Sequence, residues 1–247
     1  MSATPFGHEP FAGSSRMSDK KHTELRADLA RLADKLPTAI DLLALHKRYK
    51  APGKVEMLRG SLIWRAEELG RNALAALEAG NLVTAALLTR AVMETTAALV
   101  FLHKLVTQAV SQGCSPALEE KLTGFLTGSK LWEELSGAIH VNDMLREVSK
   151  VIPGYFEEHY AALSEIAHPN WSGAFGAFGI IDKEKMIISF ARGGRSRETQ
   201  RGTIIGRLVG SIGLFLGYHD MLGQALPDFA KAVEDYYAEK EAAKPAS

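Results

Sequence analysis

Apolar residues recur at intervals of three and four along most of this 247-residue chain. This spacing places them on one face of an α-helix. The first clear example is Leu25, Leu29, Leu32 and Leu36, and we expect a first helix to begin near Lys21. Across the whole chain the pattern predicts an all-α bundle of about seven helices.

Prolines and glycines divide this pattern into separate helices. Pro37 is expected to break or kink the first helix, and a second piece continues through Ile40–Tyr49. Ala51-Pro52-Gly53 is predicted to form a turn before a helix of about Val55–Ala79. The remaining predicted helices are about Leu82–Val110, Pro116–Leu126, a short helix capped by Asn142 or Asp143, Tyr155–His168, Gln200–Leu226 and Pro227–Glu241.

The segment Leu82–Val110 is apolar on nearly every face, which is typical of a helix at the centre of a fold. Its middle carries Arg90 and Glu94, and each would cost about 2.5–3.5 kcal/mol at the centre of a bilayer. We therefore expect a core helix of a soluble protein and no membrane partner.

The residue pattern changes in the segment before the last long helix, where helical spacing of apolar residues is lost. The glycine and aromatic run WSGAFGAFG reads as a loop, and two β-branched runs around Asp182–Lys185 predict a small hairpin over about 178–191. A loop around Gly193-Gly194 is rich in arginine and is expected to be a solvated turn.

Glycines line one face of the last long helix. Gly202, Gly206, Gly210, Gly213 and Gly217 follow one another at intervals of three or four. Because each glycine costs about 1 kcal/mol in a helix, this face is expected to let a partner helix approach closely. Together with the apolar hairpin, it makes a homodimer compatible with the sequence.

Composition narrows the classes of function. Lys+Arg and Asp+Glu balance at 29 each, so neither RNA nor anionic lipid is attracted by net charge. The single Cys114 excludes an internal disulfide and a multi-cysteine metal site, and a cytoplasmic location fits best. Residues 1–20 lack the pattern of a signal peptide and are expected to be a disordered leader. We expect a single domain over 21–243 and a disordered tail at 244–247.

Two pairs of polar residues are the candidate site. Arg90 and Glu94 stand one helical turn apart, and Glu165 and His168 form a Glu-x-x-His. In di-metal bundles that motif is needed twice, and the chain offers no convincing second copy, so we predict no metal and no cofactor. Arg90 with Glu94 fits either a structural ion pair or one wall of a pocket.

The motifs Arg-x-x-x-Glu, at Arg90 and Glu94, and LSE-x-x-HPN-x-x-G, at Leu163–Gly173, resemble those of a family of uncharacterised bacterial all-helical proteins. By this resemblance the site residues are Arg90, Glu94, Glu165 and His168. The chain is also distantly similar to HEPN-type helical bundles, many of which are metal-independent ribonucleases of toxin and defence systems. Their Arg-x₄₋₆-His motif occurs here only at Arg16–His22.

Three functions remain open at this point. The first is a non-catalytic module that binds a small ligand or a protein partner in a polar pocket of these four residues. The second is a HEPN-like ribonuclease or nucleotide-modifying enzyme, with His168 as general acid or base and Arg90 stabilising phosphate charge. In the third, the four residues form only an internal ion-pair network.

Overall fold

The computed structural model of the chain describes residues 12–46, 48–128, 138–192 and 197–243. These residues form an all-α bundle with a small antiparallel hairpin before the last long helix, as the sequence predicted. Two of the nine helices in this described part have only four and three residues, and the other seven match the predicted number.

The bounds of the elements follow in chain order. The helices are α1 (Ala12–Asp34), α2 (Leu42–Leu45), α3 (Ala51–Glu78), α4 (Leu82–Gln112), α5 (Pro116–Thr127), α6 (Val141–Val151), α7 (Tyr155–Ala167), α8 (Gly176–Phe178) and α9 (Arg197–Ala242). The strands are β1 (Gly179–Asp182) and β2 (Ile187–Phe190), and a π-helical turn at Trp171–Phe175 precedes α8.

Helix α4 lies at the centre of the bundle, where its apolar sequence placed it. It packs against α3, α6, α7 and α9, and the side chains of Met93 and Leu99 are fully buried. The α4–α9 contact is the most extensive in the fold, and Thr96 donates a hydrogen bond across it to the Ser211 carbonyl at 3.2 Å. Helices α3, α4 and α9 form the core layer, and α4 carries the candidate site residues Arg90 and Glu94.

Helix α1 ends at Asp34, before Pro37, as predicted, but two other prolines differ from the prediction. Pro227 lies inside the continuous helix α9, because Leu226 and Phe229 on either side of it are anchored in the core. Pro52 lies in the first turn of α3, where its missing N–H is not needed, so Ala51-Pro52-Gly53 begins the helix instead of forming a turn.

The chain ends and short helices also differ in detail from the prediction. Helix α1 already begins at Ala12, inside the predicted leader, and α2 is a single turn capped by Asp41. His140, and neither Asn142 nor Asp143, occupies the N-cap position of α6. The rest of the leader (1–11), part of the arginine-rich loop (193–196) and the tail (244–247) lie outside the described residues.

The hairpin has the predicted position and a defined register. Gly179 pairs with Phe190 and Asp182 pairs with Ile187. In the turn, the Asp182 Oδ1 accepts hydrogen bonds from the backbone N–H groups of Glu184 and Lys185 at 3.1 and 3.0 Å. The aspartate therefore shapes the turn and fixes the register of the two strands.

Most of the glycine face of α9 does not receive the expected helix, although a Cβ at Gly206 would stand 3.0 Å from the Lys21 Nζ of α1. Within the described part of the chain, a Cβ added at Gly202, Gly213 or Gly217 would meet nothing within 4 Å. Close approach occurs elsewhere, at Gly70 of α3, where a Cβ would stand 2.8 Å from Leu29 and 3.0 Å from Ile212. The absence of a side chain at Gly70 lets α1, α3 and α9 meet.

Candidate functional site

Arg90 and Glu94 meet a third residue, Tyr160 of α7. The Arg90 Nη2 donates to the Tyr160 hydroxyl at 2.7 Å, and that hydroxyl donates to the Glu94 Oε1 at 2.7 Å. Arg90 and Glu94 also form a direct ion pair at 3.4 Å, and the Arg90 guanidinium carbon lies 4.8 Å from the centre of the Tyr160 ring. We refer to Arg90, Glu94 and Tyr160 as the polar triad.

The triad is assembled by the packing of α4 against α7. The four-residue spacing puts Arg90 and Glu94 one turn apart on α4, while Val92 and Met93 between them point into the core. The side chains of Arg90 and Glu94 are 30% and 28% exposed, so the ion pair is half-buried. Water still reaches both charges, which limits the contribution of the pair to stability.

The phenol of Tyr160 stays protonated at physiological pH. Burial raises the pKa of Tyr160, and its hydrogen bond to Glu94 raises that pKa further, while Arg90 acts in the opposite direction. The hydroxyl therefore donates a hydrogen bond to the Glu94 carboxylate and accepts one from the Arg90 guanidinium. This arrangement fixes the ring in one orientation.

Tyr160 also lines a cleft between α6 and α7. The cleft has a volume of about 280 Å³ and its other lining residues are Asn142, Leu145, Arg146 and Glu157. It thus combines one guanidinium, one carboxylate and one amide with an apolar wall. Of the triad, Tyr160 alone lines this solvent-connected, polar recess.

Glu165 and His168 lie at the other end of α7 and do not join the triad. Glu165 is exposed and accepts a hydrogen bond from the Asn170 side chain at 2.6 Å. His168 is exposed at the C-cap of α7, where its backbone turns to an extended conformation before Pro169. In the described chain, no hydrogen bond or ion pair links either residue to Arg90 or Glu94.

Asn170 gives the second motif a structural explanation. Besides donating to Glu165, its side chain accepts from the Gly173 N–H at 3.1 Å and so caps the π-helical turn. A Cβ at Gly173 would stand 2.0 Å from the His168 carbonyl, so only glycine fits there. The segment around His168-Pro169-Asn170 builds a tight turn between α7 and the hairpin.

The described residues contain no group of three or more His, Cys, Asp or Glu side chains placed to hold a metal ion. The Glu-x-x-His at Glu165 and His168 therefore gains no third ligand within that part of the chain.

His159 is a site residue that the sequence analysis missed. It precedes Tyr160 on α7, and the Arg207 Nε of α9 lies 3.3 Å from its Nδ1. Burial lowers the pKa of His159, and the positive charge of Arg207 lowers it further. Nothing in the local sequence marks this contact, because the two residues are 48 positions apart.

A second missed histidine, His219, is buried between α3 and α9. The Arg59 Nε donates to the His219 carbonyl at 3.1 Å, and the Arg59 Nη2 lies 3.4 Å from the His219 Nδ1. Burial and the neighbouring Arg59 lower the pKa of His219 to about 4, so the ring is neutral at physiological pH. Its role is structural, because it ties two core helices together.

A larger cleft of about 450 Å³ lies where α2, α3 and α5 meet, and it contains none of the predicted site residues. Its walls are mainly apolar, with Leu43 and Met57 among them. Of the basic groups at its edge, Lys54 pairs with Glu119 and Arg48 with Glu241. The cleft between α6 and α7 is the one that a member of the polar triad lines.

No protein-family model matches the chain, and neither a curated protein nor a solved structure is significantly similar to it.

Helix α4 is long and apolar enough to cross a membrane by length and composition, but 67% of its most apolar window is buried inside the fold. A core helix of a soluble protein has this property.

Proposed function

We propose that the chain is a non-catalytic helical module that binds a small anionic ligand in the cleft between α6 and α7. The observation that carries the proposal is that Tyr160 belongs to both the polar triad and the wall of this cleft. A ring held in place by charged neighbours on a rigid helix pair is a preorganised binding surface.

Arg146 is the group of the cleft that would bind an anion. Arg146 is 68% exposed, and its pairing with Asp143 within one turn of α6 is worth little, so a ligand can recruit the guanidinium. The buried Nε of Arg90 has no hydrogen-bond partner among the described residues. A cleft of about 280 Å³ lies near the lower end of ligand sites, which are about 300–1,000 Å³.

The test is binding of a panel of small carboxylates and phosphate monoesters, followed by NMR and calorimetry. We expect a panel member to shift the signals of Tyr160 and Arg146. We also expect Arg146→Gln to weaken binding by about tenfold or more, the usual contribution of a charge-assisted hydrogen bond.

Arg31 supplies a matched control for this test. It is a similarly exposed arginine that pairs with Asp28 three residues earlier on α1, away from the cleft. Arg31→Gln should leave binding unchanged. The proposal is wrong if no panel member perturbs the cleft, or if both arginine variants weaken binding equally.

The second candidate is RNA cleavage, and the contact between His159 and Arg207 favours it. With a lowered pKa, His159 is neutral at physiological pH and accepts the Arg207 N–H at Nδ1. If Arg207 turns from this nitrogen to a substrate phosphate, Nδ1 can accept a proton from a ribose hydroxyl and return it to the leaving 5′ oxygen, while the guanidinium stabilises phosphate charge. This pair replaces His168 and Arg90, which do not meet in the described chain.

Cleavage of labelled RNA in the presence of a chelator tests this candidate. If it is right, His159→Ala abolishes cleavage and His168→Ala, at the exposed end of the same helix, retains it. Absence of cleavage with structured and unstructured RNA alike would exclude the enzyme.

A further inference from the structure

The hairpin exposes an unusual amount of apolar surface. Met186 is 86% exposed, Phe190 is 72% exposed and every residue of β2 is exposed to solvent. The large apolar side chains exposed on the hairpin and the segment leading into it are Trp171, Phe178, Ile181, Met186, Ile187, Ile188 and Phe190. A soluble protein rarely leaves such a contiguous surface uncovered.

The register of the hairpin shows which backbone groups are free. The Ala191 N–H donates to the Phe178 carbonyl at 2.9 Å, one step beyond the pair of Gly179 with Phe190. Because bonded and non-bonded pairs alternate in an antiparallel ladder, Ile188 and Phe190 direct their N–H and C=O groups away from β1. No backbone partner for these groups is present in the described chain.

The same alternation makes one face of the hairpin continuously apolar. Ile188 and Phe190 lie on it beside the cross-strand partner Ile181. The Phe175 ring packs against Phe190 at 6.4 Å between ring centres, and Trp171 stacks on Phe175 at 4.6 Å. The aromatic residues of the π-helical turn therefore extend the apolar face of the strands.

Apart from its short length of four residues, strand β2 lacks the features that keep edge strands apart. Monomeric proteins protect an open edge with a lysine, a proline or a bulge, and the four residues Ile187–Phe190 include none of these. The charges of the hairpin are confined to its turn, where Asp182 and Glu184 alternate with Lys183 and Lys185.

The exposed apolar area of the hairpin, taken over both of its faces, is comparable with that of an ordinary interface. At roughly 150–250 Å² for a fully exposed aromatic side chain, and somewhat less for an aliphatic one, the seven exposed residues present on the order of 600–1,000 Å², with Ile187 on the face opposite Ile188 and Phe190. A standard protein interface buries about 800 Å² on each side.

A membrane fits this surface less well than a protein does. The apolar side chains lie on the strands and behind them, whereas the tip carries Asp182, Lys183, Glu184 and Lys185. Insertion would have to take two carboxylates into the bilayer ahead of the apolar residues, at considerable cost.

We propose that β2 pairs antiparallel with β2 of a second copy of this chain, forming a four-stranded sheet across a two-fold axis. In the register that uses all the free groups, Ile188 of one copy bonds to Phe190 of the other, and the two Ser189 residues lie opposite each other. The apolar faces of the two hairpins then form one continuous surface, because Ile188 and Phe190 of the two copies lie on the same side of the sheet.

Sedimentation of the full chain over a wide range of concentration tests the proposal. We expect a reversible dimer that Phe190→Lys converts to a monomer. Leu43→Lys is the matched control, because Leu43 on α2 is 70% exposed and lies outside the hairpin. Unchanged thermal unfolding of both variants at low concentration will show that each one folds. A parent protein that is monomeric throughout, or a Phe190→Lys dimer, overturns the proposal.

A disulfide trap tests the register. In a Cys114→Ser background, Ser189→Cys should form an intermolecular disulfide under mild oxidation, whereas Ser61→Cys, on the exposed surface of α3, should not. A dimer in which Ser189→Cys fails to cross-link contradicts this register. Vesicles of anionic phospholipid that bind the protein while it remains monomeric would replace the dimer with a membrane contact.

Discussion

The α4–α9 contact and the β1–β2 hairpin use similar apolar residues in opposite ways. Phe215 on α9 and Met93 on α4 are fully buried, whereas Phe190 and Ile188 on β2 are largely exposed. Long helices cover one another's apolar faces, but strands of four residues cannot bury both sides of a two-stranded sheet. The helical body therefore holds the fold, and the hairpin is available for contact with another molecule.

Matched substitutions of one buried and one exposed phenylalanine should give the largest difference in the free energy of unfolding. Phe215→Ala empties a fully buried position and should cost about 3–5 kcal/mol in the free energy of unfolding. Phe190→Ala, at a position 72% exposed, should change it by no more than about 0.5 kcal/mol. Urea unfolding at low protein concentration measures both, and similar losses for the two variants would contradict the division between body and hairpin.

The buried His219 should make the stability of the helical body dependent on pH. Its pKa is about 4 in the folded state, below the value near 6.5 of an unfolded chain, so below pH 6.5 the unfolded state binds the extra proton. The free energy of unfolding therefore keeps the full contribution of neutral His219 above pH 6.5. It falls by roughly 3 kcal/mol as the pH drops from 6.5 to 4.

Replacing His219 with glutamine tests this pH dependence. His219→Gln should be less stable at pH 7 but should lose less free energy of unfolding than the parent between pH 6.5 and 4. Parallel stability curves for the two proteins would show that another group titrates there.

Two glycine substitutions sharpen the contrast within the helices. Gly70→Ala forces a methyl group against Leu29 and Ile212 and should destabilise the protein by about 1–3 kcal/mol. Gly213→Ala adds a methyl group in open space and should stabilise the helix by up to about 1 kcal/mol. Thermal unfolding compares them, and a destabilising Gly213→Ala would reveal a partner on the glycine face.

The polar triad should contribute less to stability than the core does. Tyr160→Phe removes the hydroxyl between Arg90 and Glu94, but water can replace it at these half-buried charges. We expect a loss of about 1 kcal/mol. Tyr218→Phe is the control, because its side chain is half-buried and its hydroxyl makes no hydrogen bond to another described residue. Equal effects of the two variants would mean that the triad does not hold Tyr160.

Periodicity and local turn chemistry were sufficient to predict the main elements. The apolar segment from Leu82 gave the central helix, and the two β-branched runs flanking Asp182–Lys185 gave the hairpin. Both depend on neighbouring residues alone. Pro227 was misleading, because the packing of Leu226 and Phe229 decides whether the helix continues past it.

The candidate site was predicted only in part, because its third member is distant in sequence. Arg90 and Glu94 are visible as a pair on one helix, but Tyr160 is 66 positions beyond Glu94. Their meeting depends on how α7 packs on α4. Glu165 and His168 belong to one short motif, but both lie at the turn that ends α7 and not beside the triad. Ligand binding by these residues stays a prediction.

Amide hydrogen exchange on the full chain at low concentration tests the division between body and hairpin most directly. Amides around Met93 and Phe215 should exchange only when the whole protein unfolds, and the outward-facing amides of Ile188 and Phe190 should exchange almost without protection. Hairpin amides as protected as those of α4 and α9 under the same conditions would contradict the account.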